Sequence, residues 1–204
     1  MNKKIGMYSA IVTLIGVVGF AVSMILGNDG GGYLFSLFIS WGFVPMICSF
    51  SAIGAKANKA AGYTAIAFSS VYAVLVGIVY FAQLTTIRLT KLNEQALAIL
   101  NYKNLGSLFF NYDLFGYAFM ALSTFFISFT IETKNKKDKW LKILLLAHGV
   151  FAVSCVVMPI LGVFSGSTGS GNTSGVIALE FWCAYFIPIC VLSYQYFKDN
   201  KEEN

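Results

Sequence analysis

Two carboxylates, Asp113 and Glu180, stand inside apolar stretches of this chain. An acid in that setting must find a hydrogen-bond partner, a cation or water. Groups able to meet that need lie nearby in the sequence: Tyr80 and Gln83, then Arg88, at the end of one apolar run, and Asn111 and Tyr117 beside Asp113. Carboxylate, guanidinium, amide and phenol groups together suit recognition of a small polar or charged solute. Bond-making chemistry has little to draw on. The chain has no P-loop, GxGxxG, HExxH or GxSxG pattern, so phosphate, dinucleotide, zinc-protease and serine-hydrolase chemistry find no support. Cys48, Cys155, Cys183 and Cys190 are scattered through apolar runs without a CxxC pair, as small core residues are. The single histidine, His148, is expected to serve as an interhelical hydrogen-bond partner. The residues thus name no catalytic group, no metal site and no cofactor.

Those side chains must be held by elements that composition largely defines. Hydrophobic residues make up 57% of the chain and charged residues only 11%, with a mean hydropathy of +0.72. A soluble domain carries about 25% charged residues to hydrate its surface. The apolar runs cover approximately 5–26, 33–54, 63–87, 108–131, 142–164 and 176–197, each near the ~20 residues that cross ~30 Å of hydrocarbon as a helix. The expected fold is therefore an all-α, six-helix membrane bundle forming one domain over residues 1–204. The first run is too long for the apolar core of a secretory signal, and no small-residue cleavage site follows it, so it reads as a retained helix. Pro45, Pro159 and Pro188 all fall within runs, where each removes a backbone hydrogen bond and favours a kink.

The basic residues set the orientation. With the N-terminus inside, Lys3, Lys4, Lys56, Lys59, Lys134, Lys136, Lys137, Lys139, Lys142, Lys198 and Lys201 are cytoplasmic, while Arg88, Lys91 and Lys103 are outside. Such a split favours both termini in the cytoplasm of a cell-membrane protein. It also accounts for the formal charge of +5 without a nucleic-acid partner: the partner of this surface is the lipid bilayer. The short connections are a glycine turn over 27–32, a small basic loop over 55–62, a charged loop over 132–141 and a Gly/Ser/Thr stretch over 165–175. The outer connection 88–107 differs, because Leu89, Leu92, Ala96 and Ile99 recur on one side and Lys91, Asn93, Glu94, Gln95 and Asn101 occupy the other. That spacing predicts an amphipathic connector helix.

Helical periodicity groups the polar residues into stripes. Ser69, Tyr72, Tyr80 and Gln83 share a face of the third run; Asp113, Gly116, Tyr117, Met120 and Thr124 share one on the fourth. The sixth carries Glu180, Cys183, Ala184 and Tyr194, the fifth His148, Ala152, Cys155 and Pro159, and the first Ser9, Thr13, Gly16 and Ser23. Small and hydroxyl stripes are also what helix packing in a bilayer requires. Asp113, Glu180, Gln83, Arg88 and Asn111 all fall toward the outer ends of their helices. If those helices are neighbours, the groups can satisfy one another or line a polar pocket.

The stretches Val71–Thr85 (VYAVLVGIVYFAQLT) and Asn111–Met120 (NYDLFGYAFM) resemble segments of uncharacterised bacterial multi-pass integral membrane proteins of similar length and helix count. The resemblance implies a bacterial inner-membrane protein and carries no activity.

The function expected from these readings is binding or transport of a small molecule or ion through an outward-facing pocket between the third, fourth and sixth helices. Asp113 and Glu180 would be the charged ligands, Arg88 their partner or an anion contact, and Gln83, Tyr80, Tyr117 and Asn111 the orienting groups. One form of this reading is the substrate-binding subunit of a vitamin importer, which has a similar six-helix size. Two alternatives stand beside it. One is a non-transporting sensor, immunity or assembly protein whose polar faces simply pack; the other is a membrane-embedded enzyme acting on lipid.

Overall fold

The computed structural model of the chain describes residues 1–164 and 171–199. Among the described residues every regular element is helical. The helices are α1 (Asn2–Ile25), α2 (Asp29–Ile53), α3 (Lys59–Ala82), α4 (Glu94–Leu100), α5 (Leu108–Ser128), α6 (Lys136–His148), α7 (Val150–Ile160) and α8 (Gly171–Asp199). Five segments are long and apolar enough to cross a bilayer: Asn2–Ile25, Asp29–Ile53, Lys59–Ile87, Lys136–Ile160 and Val176–Asp199. The 21-residue α5 is the remaining long helix, and Asn111 and Asp113 in its first two turns dilute its apolar character.

Local chemistry explains where these helices begin. Asn28 accepts a hydrogen bond from Gly31 N at 3.0 Å, so the expected glycine turn shortens and Asp29–Gly32 already belong to α2. Gly27, at φ +65°, makes the reversal before it, a conformation an L side chain resists. Ser107 caps α5 by accepting from Phe110 N at 3.2 Å. Asn135 accepts from Lys137 N and Asp138 N at 2.8 and 3.1 Å, which starts α6 six residues earlier than the apolar run suggests. Helices favour Asn and Ser at this position because their oxygens pair otherwise orphaned amides. One consequence is that His148 ends a 13-residue helix and lies deep in the bundle. Of the Gly/Ser/Thr connection expected over 165–175, residues 165–170 lie outside the described residues.

The connection over 88–107 corrects the sequence reading. Instead of one amphipathic helix, α3 runs on through a wide π-type turn at Gln83–Ile87, and only the seven residues of α4 follow as a helix. Asn93 interrupts the pattern by capping α4, accepting from Ala96 N at 2.8 Å. Leu89 is 75% exposed, and no residue of α4 is buried. What holds the segment down is its second half. Gln83 donates to Leu100 O at 2.8 Å and accepts from Tyr102 N at 3.4 Å, and Lys103 pairs with Asp29 at the start of α2.

The long helices close into a ring in the order α1, α2, α3, α5, α6 with α7, α8 and back to α1. The α1–α2 contact is the most extensive, and the Ser9, Thr13, Gly16 and Ser23 stripe lies in it, fully buried. Ser9 and Thr13 turn their hydroxyls onto carbonyls one turn back on their own helix, so the stripe serves close packing. Gly42 shows how close: a Cβ there would stand 2.5 Å from Thr13 Oγ1 and 2.7 Å from Thr13 N. The stripes expected on the first, third and fifth apolar runs all turn inward, at least in part. On α8 the buried face is rotated: Trp182, Cys183, Phe186, Ile189 and Cys190 are buried, while Ala184 is exposed. Aromatic rings in the centre of the ring drive that rotation, with Phe43 of α2 against Tyr72 and Phe186 at 5.5 and 6.2 Å between centroids.

Candidate functional site

Asp113 lies two turns into α5 and is only 2% exposed. Its Oδ1 is buried without a hydrogen-bond partner, and so are the hydroxyls of Tyr72 and Tyr117. The Tyr80 and Tyr102 hydroxyls lie beside the Asp113 carboxyl. Tyr72 and Tyr117, with ring centroids 5.6 Å apart, bring their hydroxyls near one another without reaching hydrogen-bond geometry. Buried polar atoms are nearly always paired, and each exception asks for an explanation. Three orphaned oxygens from two helices in one region therefore mark this as the least satisfied part of the core.

Above the carboxyl, Tyr33 of α2, Tyr80 of α3 and Tyr102 of the connector pack ring to ring. Their centroids are 5.6 Å apart for Tyr33–Tyr80, 5.5 Å for Tyr80–Tyr102 and 6.0 Å for Tyr33–Tyr102. Desolvation pushes the Tyr102 phenol well above its ordinary range, and the neighbouring Asp113 adds to the shift, so Tyr102 stays a neutral hydrogen-bond donor. The same three tyrosines line a cleft of about 230 Å3, walled by Phe20 and Ser23 of α1 and by Leu179 of α8. Asp29 and Lys103 stand in its lining as well and are paired with each other. The cleft thus lies between α1, α2, the C-terminal end of α3, the connector and α8. Of α5 only Phe110 reaches it. The cleft touches the third, fourth and sixth apolar runs expected to line it, through Tyr80, Phe110 and Leu179, and extends beyond them to α1, α2 and the connector.

Of the residues singled out from the sequence, the structure brings Asp113, Tyr80 and Tyr117 together. Gln83 is adjacent but committed, since both ends of its amide hold the connector backbone. Arg88 is exposed, lines a separate groove of about 600 Å3 with Asp29 and Lys103, and has no ion pair among the described residues. The partnership expected between Arg88 and a carboxylate is therefore absent; the π-type turn directs this part of the chain away from α5. Asn111 donates to Gly106 O at 3.1 Å, holding the entry to α5. Glu180 is half-buried on α8, with Oε1 orphaned and Cys183 a turn away. No ion pair joins it to the Asp113 region.

A second polar feature lies deeper. Trp182 donates its Nε1–H to His148 Nε2 at 3.0 Å, and His148 Nδ1 meets Thr124 Oγ1 at 2.8 Å. Indole nitrogen can only donate, so Nε2 carries no proton and the ring is the Nδ1–H tautomer. Thr124 in turn donates to Ala121 O at 2.8 Å. This joins α5, α6 and α8, as expected of an interhelical histidine. Trp182 also packs on Tyr117, with centroids 5.3 Å apart, which links the two features through aromatic contact.

Tyr33, Tyr102 and Trp182 were not expected at the site. For Tyr102 a signal existed: an aromatic between Asn101 and Lys103 in an otherwise polar stretch. Tyr33 and Trp182 lie among apolar neighbours and carry no local mark.

Compared with known protein families, with curated proteins and with solved structures, the chain matches none. Its class rests on what has been described: an all-helical bundle with five helices apolar and long enough to span a membrane.

Proposed function

We propose that the chain is a six-span membrane protein with both termini in the cytoplasm, and that it binds a small cationic solute entering from outside toward Asp113. The sixth span is α5, which packs along α3 and α7. The structure also supports placing the connections in pairs on a common side. Loops 54–58 and 129–130 meet at one end, where Ala55 N donates to Thr130 O at 3.0 Å and Asn58 Nδ2 to Phe129 O at 2.7 Å. Lys3, Lys4 and Lys198 also share one groove.

The observation that carries the solute reading is the orphaned Asp113 oxygen behind a floor of three tyrosines that an open cleft reaches. A buried carboxylate needs a counter-charge, and none of the described residues supplies one there. Tyrosine faces attract cations through the ring quadrupole. Binding would let the solute part the tyrosines and take the place of a basic side chain. A cleft of about 230 Å3 holds roughly eight water volumes at ~30 Å3 each, which suits a small organic ammonium.

The test is a thermal-shift series on the detergent-purified chain with tetramethylammonium, ethanolammonium and a neutral isostere. The ammonium compounds should raise the melting temperature and the isostere should not. Asp113→Asn should abolish the response, while Glu180→Gln should keep it. No shift with any ammonium compound, together with a higher melting temperature for Asp113→Asn, would establish packing as the sole role of these residues.

A further inference from the structure

At the opposite end of the bundle a groove of about 550 Å3 runs between the start of α1 and the end of α8. Its head is formed by Lys3, Lys4 and Lys198 and its walls by Tyr8, Ile11 and Tyr194. None of the three lysines has an ion pair among the described residues, and no carboxylate belongs to the described lining. The nearest acid in sequence, Asp199, stands outside it. Below the lysines, α1 continues the groove as an apolar track: Tyr8 is 68% exposed, Ile11 38%, Ile15 55%, Val18 42% and Val22 49%. These residues recur every three or four positions, so they form one stripe along the helix.

Three lysine ammonium groups above a continuous apolar track make a surface with two chemistries in a fixed order. A free inorganic anion would use only the first, and a neutral lipid only the second. We infer that this groove binds an anionic phospholipid of the cytoplasmic leaflet, its phosphodiester among Lys3, Lys4 and Lys198 and one acyl chain along Tyr8, Ile11 and Ile15. Basic pockets between spanning helices on the cytoplasmic side recognise such headgroups, and each lysine near the surface strengthens attraction to anionic lipid, by about fivefold in affinity. The inference rests on the proposed membrane orientation and is independent of the solute site at Asp113. Its consequence is structural. A lipid held there would join the first and last helices, the pair that closes the ring.

The purified full-length chain should be incubated with phosphatidylglycerol, with phosphatidylcholine of the same acyl chains, or with inorganic phosphate. Retained lipid is counted by native mass spectrometry and the melting temperature is followed. Phosphatidylglycerol should be retained at one molecule per chain and raise the melting temperature. Phosphatidylcholine should bind at least ~10-fold more weakly, since its headgroup carries no net charge for the lysines. Phosphate alone should do neither. Replacing Lys3, Lys4 and Lys198 together by Gln should bring phosphatidylglycerol down to the phosphatidylcholine level. Replacing Lys59, Lys91 and Lys139 by Gln, an equal change of charge at exposed sites, should leave it unchanged. On the unmodified chain, added salt should release phosphatidylglycerol and spare phosphatidylcholine, a readout that holds even if the triple variant folds poorly. Equal retention of the two lipids, or phosphatidylglycerol binding that survives both the triple replacement and salt, would overturn the inference. A shift produced by phosphate alone would also overturn it, pointing to a site for free anion. A failed ammonium response at Asp113 leaves every one of these outcomes unaffected.

Discussion

Replacing Trp182 by Phe removes one atom group of consequence, the Nε1–H that His148 Nε2 accepts at 3.0 Å. Both residues are buried, at 6% and 1% exposure, so no water takes over. Phe keeps a ring stacked on Phe186, now 5.1 Å between centroids, and against Tyr117. The loss is therefore mainly a hydrogen bond and the orphaning of an acceptor. In a soluble core an orphaned acceptor costs about 1–3 kcal/mol. Between helices in a bilayer such pairs average about 0.6 and reach about 1.7 kcal/mol, because the separated helices find other partners. Adding the smaller ring volume, we expect about 1–2 kcal/mol. At roughly 2–4 °C per kcal/mol for a chain of this length, the melting temperature in detergent should fall by about 2–8 °C. Trp140→Phe, at a site 60% exposed, should stay within about 1 °C of the parent. Because the chain has one histidine, nitrogen NMR can read its tautomer directly, and the parent should show the Nδ1–H form. Equal melting temperatures for the two variants, or an Nε2–H histidine in the parent, would refute the hydrogen-bond assignment and the joining of α5, α6 and α8 through it.

Gly42→Ala should destabilise by about 1–3 kcal/mol, the usual range for overpacking, because the added Cβ meets the Thr13 backbone nitrogen at 2.7 Å and a backbone atom cannot rotate aside. Gly77→Ala, with open space at its Cβ, should be neutral or stabilising by up to about 1 kcal/mol; the two melting curves, measured side by side, check both statements. Arg88→Ala and Lys91→Ala should have melting temperatures within about 1 °C of each other, since both residues are exposed and surface replacements usually stay within about 0.5 kcal/mol. A clearly larger loss for Arg88→Ala would restore its pairing with a buried acid. Reporter fusions after Gly54 and at the C-terminus should read cytoplasmic and fusions at 28–31 external; an external reading at the C-terminus would break the six-span arrangement.

Much of the architecture follows from one-dimensional chemistry. A helix's length and apolar content are properties of consecutive residues, and a hydrocarbon slab tests little else. For that reason the positions of α1, α2, α3, α5 and α8 were legible within a few residues, as were the inward stripes of α1 and α3. The early start of α6 was missed because a charged first turn, Lys136–Lys139, hides a helix that Asn135 caps. Tertiary structure decided which polar groups meet. His148 and Trp182 are 34 positions apart, and no local pattern states that α6 and α8 will be neighbours. Gln83 looked like a site residue by depth and type, yet its amide went to the connector, because Tyr102 and Leu100 present unpaired backbone groups directly above it. Arg88 and Asp113 looked like partners by charge, but the wide turn at Gln83–Ile87 sends the one out to solvent while α5 carries the other inward. What a sequence fixes least is the rotation and packing of whole helices. That choice depends on how rings and small residues fit across the bundle, and here it set Tyr33, Tyr80 and Tyr102 above the buried acid.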